Sequence, residues 1–99
     1  MLDKIEKHDF AKHLGDRYQL QLGSADVLTL ELIDVANLGP STAQPGKREP
    51  FSILFRGPRQ PALEQRIYRL EHPQMGVLDV FLVPIGQSEG GVHYEAIFS

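Results

Sequence analysis

The sequence has no cysteine, no tryptophan and no long apolar run. The absence of cysteine excludes a disulfide framework and thiolate chemistry, and it fits a cytoplasmic protein without excluding export. No segment approaches the roughly 18 consecutive apolar residues that a transmembrane helix requires. The first nine residues carry charges throughout and lack the apolar segment of a signal peptide. We therefore expect a cytoplasmic protein that does not associate with a membrane.

The charge is slightly acidic and uneven along the chain. The 99 residues carry a net charge of −3, which disfavours nucleic acid as a partner. Residues 47–69 hold six basic and two acidic side chains, a local charge of +4, so the rest of the chain carries −7. Such asymmetry can mark an anion-binding or partner surface, but we favour the simpler explanation that arginines occupy the solvent side of strands and their loops. The length and the 41% hydrophobic content fit one globular domain over residues 1–99.

Apolar and polar residues alternate in several segments that we predict to be β-strands. These segments are 16–22, 27–36, 51–57, 66–72, 77–85 and 92–98. The fourth and fifth form a hairpin around the turn Pro73-Gln74-Met75-Gly76. The fifth is apolar on nearly both faces, so we expect a central strand that is buried on both sides. In the second, the apolar positions change parity near Leu32 and Ile33, which predicts a β-bulge or bend.

Residues 3–13 precede the strands and have the pattern of a short amphipathic helix. The apolar residues that share one face are Ile5, Phe10 and Leu14. Asp3 can cap the start of this helix, and Gly15 can end it. Because so short a helix is marginal alone, we expect it to dock on an open end or a face of the β-structure.

The connections between the segments complete the predicted fold. Residues 37–50 contain two glycines and three prolines, which is typical of a surface loop. Residues 58–65 join the third and fourth strands, and we expect a turn of 3₁₀ helix from which Leu63 enters the core. The fold class is therefore mainly β: a small six-stranded antiparallel barrel or sandwich with one N-terminal α-helix.

Four histidines raise the question of a metal site. His8 and His13 are five residues apart, so they lie on different sides of a helix. His72 and His93 lie on different predicted strands. No cysteine and no His-Glu-x-x-His motif supports these histidines. We therefore predict no metal and no cofactor.

Motifs for catalysis are missing as well. No serine lies in a Gly-x-Ser-x-Gly motif, and no glycine-rich phosphate loop is present. A catalytic carboxylate pair could be composed from Glu71, Asp79 and Glu95, but these acids and Arg69 are better explained as outward residues that form cross-strand ion pairs. We therefore expect a protein that is not an enzyme.

Association with another protein is the remaining class of function. Phe81, Val83 and Ile85 form an apolar stripe on the second face of the fifth strand. We expect the N-terminal helix to cover this stripe; if it does not, the stripe is available to a protein partner or a homo-oligomer. The other aromatic residues lie mostly at inward positions, so we expect no nucleic-acid binding.

Four parts of the sequence resemble a family of bacterial proteins of about 100 residues that carry a domain of unknown function. The resembling parts are Phe10 to Leu20, Pro50 to Pro58, Tyr68 to Gly86 and Tyr94 to Phe98. The most specific pieces are Phe55-Arg56-Gly57-Pro58 and Glu71-His72-Pro73. The resemblance covers most of the chain and implies a single domain with no assigned activity. It also implies an association with phage-tail-like proteins, and therefore an accessory or assembly role.

One polar surface is the best candidate for a site. It consists of Arg56, Arg59, Glu71 and His72, next to the two turn signals at 57–58 and 72–73. We predict that Arg56 and Glu71 form an ion pair that ties the strand 51–57 to the strand 66–72, so that Arg56→Ala lowers the melting temperature. The predicted function is a non-enzymatic protein-interaction or assembly module. The alternative is a small-ligand-binding or enzymatic barrel with a site near Arg56, Arg59 and His72.

Overall fold

The computed structural model of the protein describes residues 6–23, 26–38 and 50–98. The elements in these residues are α1 (Lys7–Ala11), β1 (Arg17–Gln21), β2 (Val27–Asn37), β3 (Phe51–Gly57), β4 (Arg66–His72), β5 (Gly76–Ser88) and β6 (Gly91–Phe98). All neighbouring strands are antiparallel, and the sheet closes on itself in the order β1-β2-β3-β6-β5-β4. The predicted mainly β fold with one N-terminal helix is confirmed, and of the two predicted architectures the barrel is the observed one. None of the described helical residues belongs to a helix long and apolar enough to span a membrane.

The barrel interior is filled with side chains because each strand alternates inward apolar and outward polar residues. The largest of the fully buried side chains are Tyr18, Tyr94, Phe10, Phe51, Phe55, Leu20, Leu30, Leu32, Ile53, Leu70, Leu82 and Val80. Burying this much apolar surface is the main source of the stability of the fold, at about 25 cal/mol per Å² removed from water.

Two different plugs close the two ends of the barrel. One end, which we name the Leu63 end, is where the chain connects β1 to β2, β3 to β4 through residues 58–65, and β5 to β6. There Leu63 is buried, as predicted, and its backbone N–H donates a hydrogen bond to the Tyr94 hydroxyl at 2.9 Å. The opposite end, which we name the Phe10 end, contains α1, the start of β3, the β4–β5 turn and the end of β6. There Phe10 is fully buried, with its ring centroid 6.1 Å from that of Phe51 and 5.3 Å from that of Phe98.

Two strands contain an irregularity in their pairing. In β2 the register with β3 shifts between Leu32 and Asp34, which confirms the predicted bulge near Leu32 and Ile33. In β5 the register with β6 shifts between Pro84 and Gly86, a bulge that the sequence analysis did not predict. Proline has no backbone N–H for the ladder, so strands commonly bulge beside it.

The outer face of β5 is exposed, so the prediction of a strand buried on both sides is wrong. Leu78, Val80 and Leu82 point into the barrel. On the other face, Phe81 and Ile85 are about half exposed, at 49% and 52%. The closed barrel explains the difference, because each strand has only one inner face and nothing among the described residues packs on the outside of β5.

The helix is shorter than predicted and covers the end of the barrel rather than its side. It begins after Glu6, which forms a capping box with Asp9, and it ends at Ala11. Of the predicted apolar face, Phe10 is buried but Leu14 is 53% exposed in the turn that follows. Asp3, Ile5 and residues 39–49 of the predicted loop lie outside the described residues. The connection 58–65 contains no 3₁₀ helix.

Candidate functional site

The four residues of the predicted polar surface lie at two separate places. Arg59 lies at the Leu63 end, where its guanidinium donates to the carbonyl oxygen of Ser88 at 3.3 Å. His72 ends β4 at the opposite, Phe10 end of the barrel, and the neighbouring Glu71 lies exposed on the outside of β4. No single site near Arg56, Arg59 and His72 is therefore formed.

The predicted Arg56–Glu71 ion pair is wrong because β3 and β4 are not neighbours in the barrel. Arg56 instead pairs with Glu31, its cross-strand neighbour on β2. Both side chains are more than a third exposed, so this ion pair contributes at most about 1 kcal/mol. The cross-strand pair of Arg69 with Asp79 is present, with 3.2 Å between Nε and Oδ1.

The best-defined polar site is formed by His13, Asp16 and His72 at the Phe10 end, and we name it the His–Asp–His cluster. The His72 side chain is only 3% exposed. Its Nδ1 accepts hydrogen bonds from the backbone N–H groups of Gln74 at 3.0 Å and Met75 at 3.1 Å. Because Nδ1 acts as an acceptor, the ring proton lies on Nε2. That Nε2–H donates to Oδ2 of Asp16 at 2.9 Å.

Backbone hydrogen bonds position Asp16 for this role. Asp16 lies between α1 and β1, and its carbonyl oxygen accepts the N–H of Leu32 at 3.0 Å, while the N–H of Gly15 donates to the carbonyl of Leu32 at 2.8 Å. Its Oδ2 also accepts a hydrogen bond from Nδ1 of His13 at 3.0 Å. The hydrogen bond from His72, assisted by the one from His13, holds the pKa of Asp16 below its usual value.

Aromatic rings pack the cluster against the barrel wall. The His72 ring centroid lies 4.5 Å from that of His13 and 4.7 Å from that of Tyr18. The Tyr18 hydroxyl donates to Sδ of Met75 at 3.0 Å. Burial, reinforced by the charge of Asp16, raises the pKa of Tyr18 well above its ordinary value, so this phenol stays protonated. The cluster is thus a cross-link between the α1–β1 turn and the β4–β5 turn.

Three potential ligand atoms of the cluster lie within 4.8 Å of one another, which suits the size of a metal ion. The chemistry of the donors does not fit one. A histidine that binds a metal supplies a lone pair on one nitrogen and usually donates a proton from the other. In His72 the two backbone donors occupy Nδ1, so Nε2 carries the proton where a ligand would need a lone pair. The arrangement is that of a hydrogen-bonded structural cluster.

A shallow cleft of about 470 Å³ lies beside the cluster, between α1 and the β4–β5 turn. It is lined by Asp9, Lys12, His13, Gln74 and Met75. His13 donates its Nδ1–H to Asp16, and its other ring nitrogen, Nε2, makes no hydrogen bond to Asp16. Among the residues that the structure describes, no serine, threonine or cysteine lines this cleft, so none of them offers His13 a side-chain nucleophile of that kind to activate.

Sequence reasoning missed the cluster because Asp16 and His72 are 56 residues apart in the chain. The signals that exist are local: an aspartate directly before β1, a histidine three residues earlier, and a histidine that follows the inward positions of β4. These become a site only because β1 pairs with β4 and closes the barrel.

The fold and the cluster together define a small antiparallel barrel that is plugged at both ends and braced by a buried histidine. The chain belongs to the family described as Domain of unknown function (DUF6916), whose sequence profile matches residues 5–98. The resemblance to a family with a domain of unknown function is therefore confirmed. The chain matches no curated protein and no solved structure.

Proposed function

We propose that this domain is a non-enzymatic protein-interaction or assembly module that binds its partner on the outside of β4, β5 and β6. The observation that carries this proposal is a set of large apolar side chains in contact with solvent. Ile67 on β4 is 64% exposed, Phe81 on β5 is 49% exposed and Ile97 on β6 is 62% exposed.

These side chains form one continuous surface because they lie at matching positions on neighbouring strands. Ile67 pairs with Phe81 across β4 and β5. Val83, on the same face of β5 as Phe81, pairs with Glu95 across β5 and β6, and Ile97 lies two residues beyond Glu95 on the same face of β6. We name the surface formed by Ile67, Phe81, Val83 and Ile97 the apolar face.

An exposed face of this kind favours binding over catalysis. A contiguous patch of large apolar side chains, particularly one with an aromatic residue at its centre, is typical of protein–protein interfaces. The strands that carry it are held on both sides by their neighbours in a closed barrel, so the surface is rigid and little conformational entropy is lost on binding. The resemblance to bacterial proteins that accompany phage-tail-like proteins supports an assembly role, and the absence of cysteine supports a cytoplasmic location.

The alternative of a small-ligand-binding or enzymatic barrel has less support. It required a site near Arg56, Arg59 and His72, and Arg59 and His72 lie at opposite ends of the barrel. Leu63 and Phe10 also close the two ends through which a ligand would enter.

Site-specific crosslinking in cells of the source organism tests the proposal. A photoreactive amino acid at position 81 is compared with the same amino acid at position 27. Val27 is a matched control because it is 48% exposed and lies on β2, which is diametrically opposite β5 in the barrel. We expect a discrete protein adduct at position 81 and none at position 27. Equal adducts at both positions, or no adduct at position 81, would contradict the proposal.

A further inference from the structure

We infer that the partner on the apolar face is a second copy of this chain, packed across a two-fold axis that passes through Phe81. This inference rests on the proposed function and names its partner. It comes from the arrangement of opposite charges on the two sides of the apolar face.

Arg69 and Glu95 lie at opposite corners around Phe81. Arg69 lies on β4, next to β5, and the residue opposite it on β5 is Asp79, two residues before Phe81. Glu95 lies on β6, on the other side of β5, and the residue opposite it on β5 is Val83, two residues after Phe81. The guanidinium of Arg69 therefore lies at one corner of the face, and the carboxylate of Glu95 lies at the diagonally opposite corner.

Both charges have unused bonding capacity. Arg69 is 61% exposed and bonds Asp79 through Nε, which leaves the terminal nitrogens of its guanidinium available. Glu95 is half-buried, and its side chain has no hydrogen bond or ion pair with any other residue that the structure describes. Removing a carboxylate from water without pairing it with a cation costs free energy. A partner surface that brings a guanidinium to Glu95 therefore stabilises the complex through charge pairing and hydrogen bonds.

A two-fold axis can lie in the interface, perpendicular to the line from Arg69 to Glu95. Such an axis creates two equivalent ion pairs between the copies. It places Arg69 of each copy against Glu95 of the other and Phe81 against Phe81, and it brings Ile67 towards Val83. The strands of the two copies then cross at a steep angle, as in orthogonal packing of sheets. A stable dimer buries about 800 Å² per partner, roughly an eighth of the 6292 Å² surface of the chain, and three of six strands can supply this area.

Arg69 and Glu95 cannot pair within one chain. They are two strands and four residues apart, which corresponds to about 10 Å across the strands and about 13 Å along them, or roughly 16 Å in total. Any energetic coupling between the two side chains must therefore arise between copies.

Charge reversal followed by mixing tests the two-fold arrangement. We expect the unaltered protein to dimerise in sedimentation equilibrium, and Arg69→Glu or Glu95→Arg alone to raise the dissociation constant at least tenfold through like charges at both contacts. Mixing these two variants should give a one-to-one heterodimer. The new carboxylate of Arg69→Glu then faces the new guanidinium of Glu95→Arg, while the unaltered Glu95 of the first faces the unaltered Arg69 of the second.

Two further variants complete the design. Arg17→Glu, which reverses a charge on β1 outside the apolar face, should leave the dissociation constant unchanged. Phe81→Asp should abolish the dimer and should not be rescued by mixing. Thermal melts followed by circular dichroism confirm that each variant is folded.

The outcomes separate this inference from the proposed function. A monomeric protein whose position 81 crosslinks to a different protein overturns the inference and leaves the proposed function standing. A dimer that survives both charge reversals, or variants that do not recover on mixing, overturns the two-fold arrangement. A monomer without an adduct at position 81 overturns both.

Discussion

At the scale of single residues, the carboxylate of Asp16 accepts hydrogen bonds from two histidines, His13 and His72, that lie far apart in the chain. Hydrogen bonds from His72 and then His13 lower the pKa of Asp16 below 3.8, its value in an unfolded chain. The unfolded state therefore binds more protons than the folded state as the pH falls through this range. The contribution of Asp16 to stability is fully present above about pH 4, and it is lost as the pH falls through the lower, folded pKa.

We predict that Asp16→Asn reduces the loss of stability between about pH 5 and pH 2, because an amide does not titrate there. Urea unfolding midpoints at a series of pH values measure the slope for the unaltered and variant proteins. Asp26→Asn is the control, since Asp26 is exposed and takes part in none of the hydrogen bonds or ion pairs that the described histidines form. Identical slopes for the unaltered protein and Asp16→Asn would show that the cluster does not stabilise the charged aspartate.

The backbone at Gly91, in the β5–β6 turn, has a positive φ that favours glycine. Gly91 has a φ of 139°, and a Cβ there would lie 1.9 Å from the carbonyl oxygen of Gly57. We predict that Gly91→Ala destabilises the protein by about 3 kcal/mol or more, through strain and a clash with backbone that cannot move aside. Gly86→Ala, where nothing lies within 4 Å of the added carbon, should cost less than about 1 kcal/mol. Similar unfolding midpoints for the two variants would contradict this explanation.

At the scale of elements, the strands were predictable because each has one inner face. Inward residues such as Tyr18, Ile53 and Leu70 recur at every second position. Because of this alternation, most predicted strand ends lie within one or two residues of the observed ones. The parity change at Leu32 predicted its bulge for the same reason. The failure on β5 has a physical cause: Phe81 lies outward on a strand whose outer face is not covered by any element in the described part of the chain. Apolar alternation alone cannot tell an exposed apolar face from a buried one.

The helix α1 illustrates how one anchored residue can hold an element that is unstable alone. A helix of five residues has little intrinsic stability, so its position depends on Phe10 at the centre of a ring cluster. We predict that Phe10→Ala costs about 3–5 kcal/mol of folding free energy, because it removes a fully buried ring and opens the Phe10 end. Leu14→Ala is the matched control and should cost less than about 0.5 kcal/mol, since Leu14 is mostly exposed. Comparable losses in chemical denaturation would show that the helix docks through a wider face.

At the scale of the whole molecule, closure of the barrel created the site that the sequence could not reveal. Strand order cannot be derived from alternation, so neither the pairing of β1 with β4 nor the opposition of β3 and β4 was predictable. The first brings Asp16 to His72, and the second prevents Arg56 from reaching Glu71. The residue types of the site were visible in the sequence, but the contacts between them belong to the closed barrel.

The seam between β1 and β4 is the shortest pairing in the barrel. It has two registered residue pairs, Gln19 with Glu71 and Leu20 with Leu70, whereas β3 and β6 share seven. The His–Asp–His cluster lies at the end of this seam, since Asp16 directly precedes β1 and His72 is the last residue of β4. Side-chain hydrogen bonds there compensate for the few backbone hydrogen bonds between the two strands.

We therefore predict that the barrel opens first at this seam. In native-state hydrogen exchange, the amides that join β1 to β4 should exchange through local opening, while those between β3 and β6 should exchange only through global unfolding. Asp16→Asn should speed exchange at the seam by more than global destabilisation explains, because it weakens the cross-link to His72 without altering β3 or β6. Equal protection at both junctions, or a uniform effect of Asp16→Asn, would mean that the cluster shapes the two turns without holding the barrel closed.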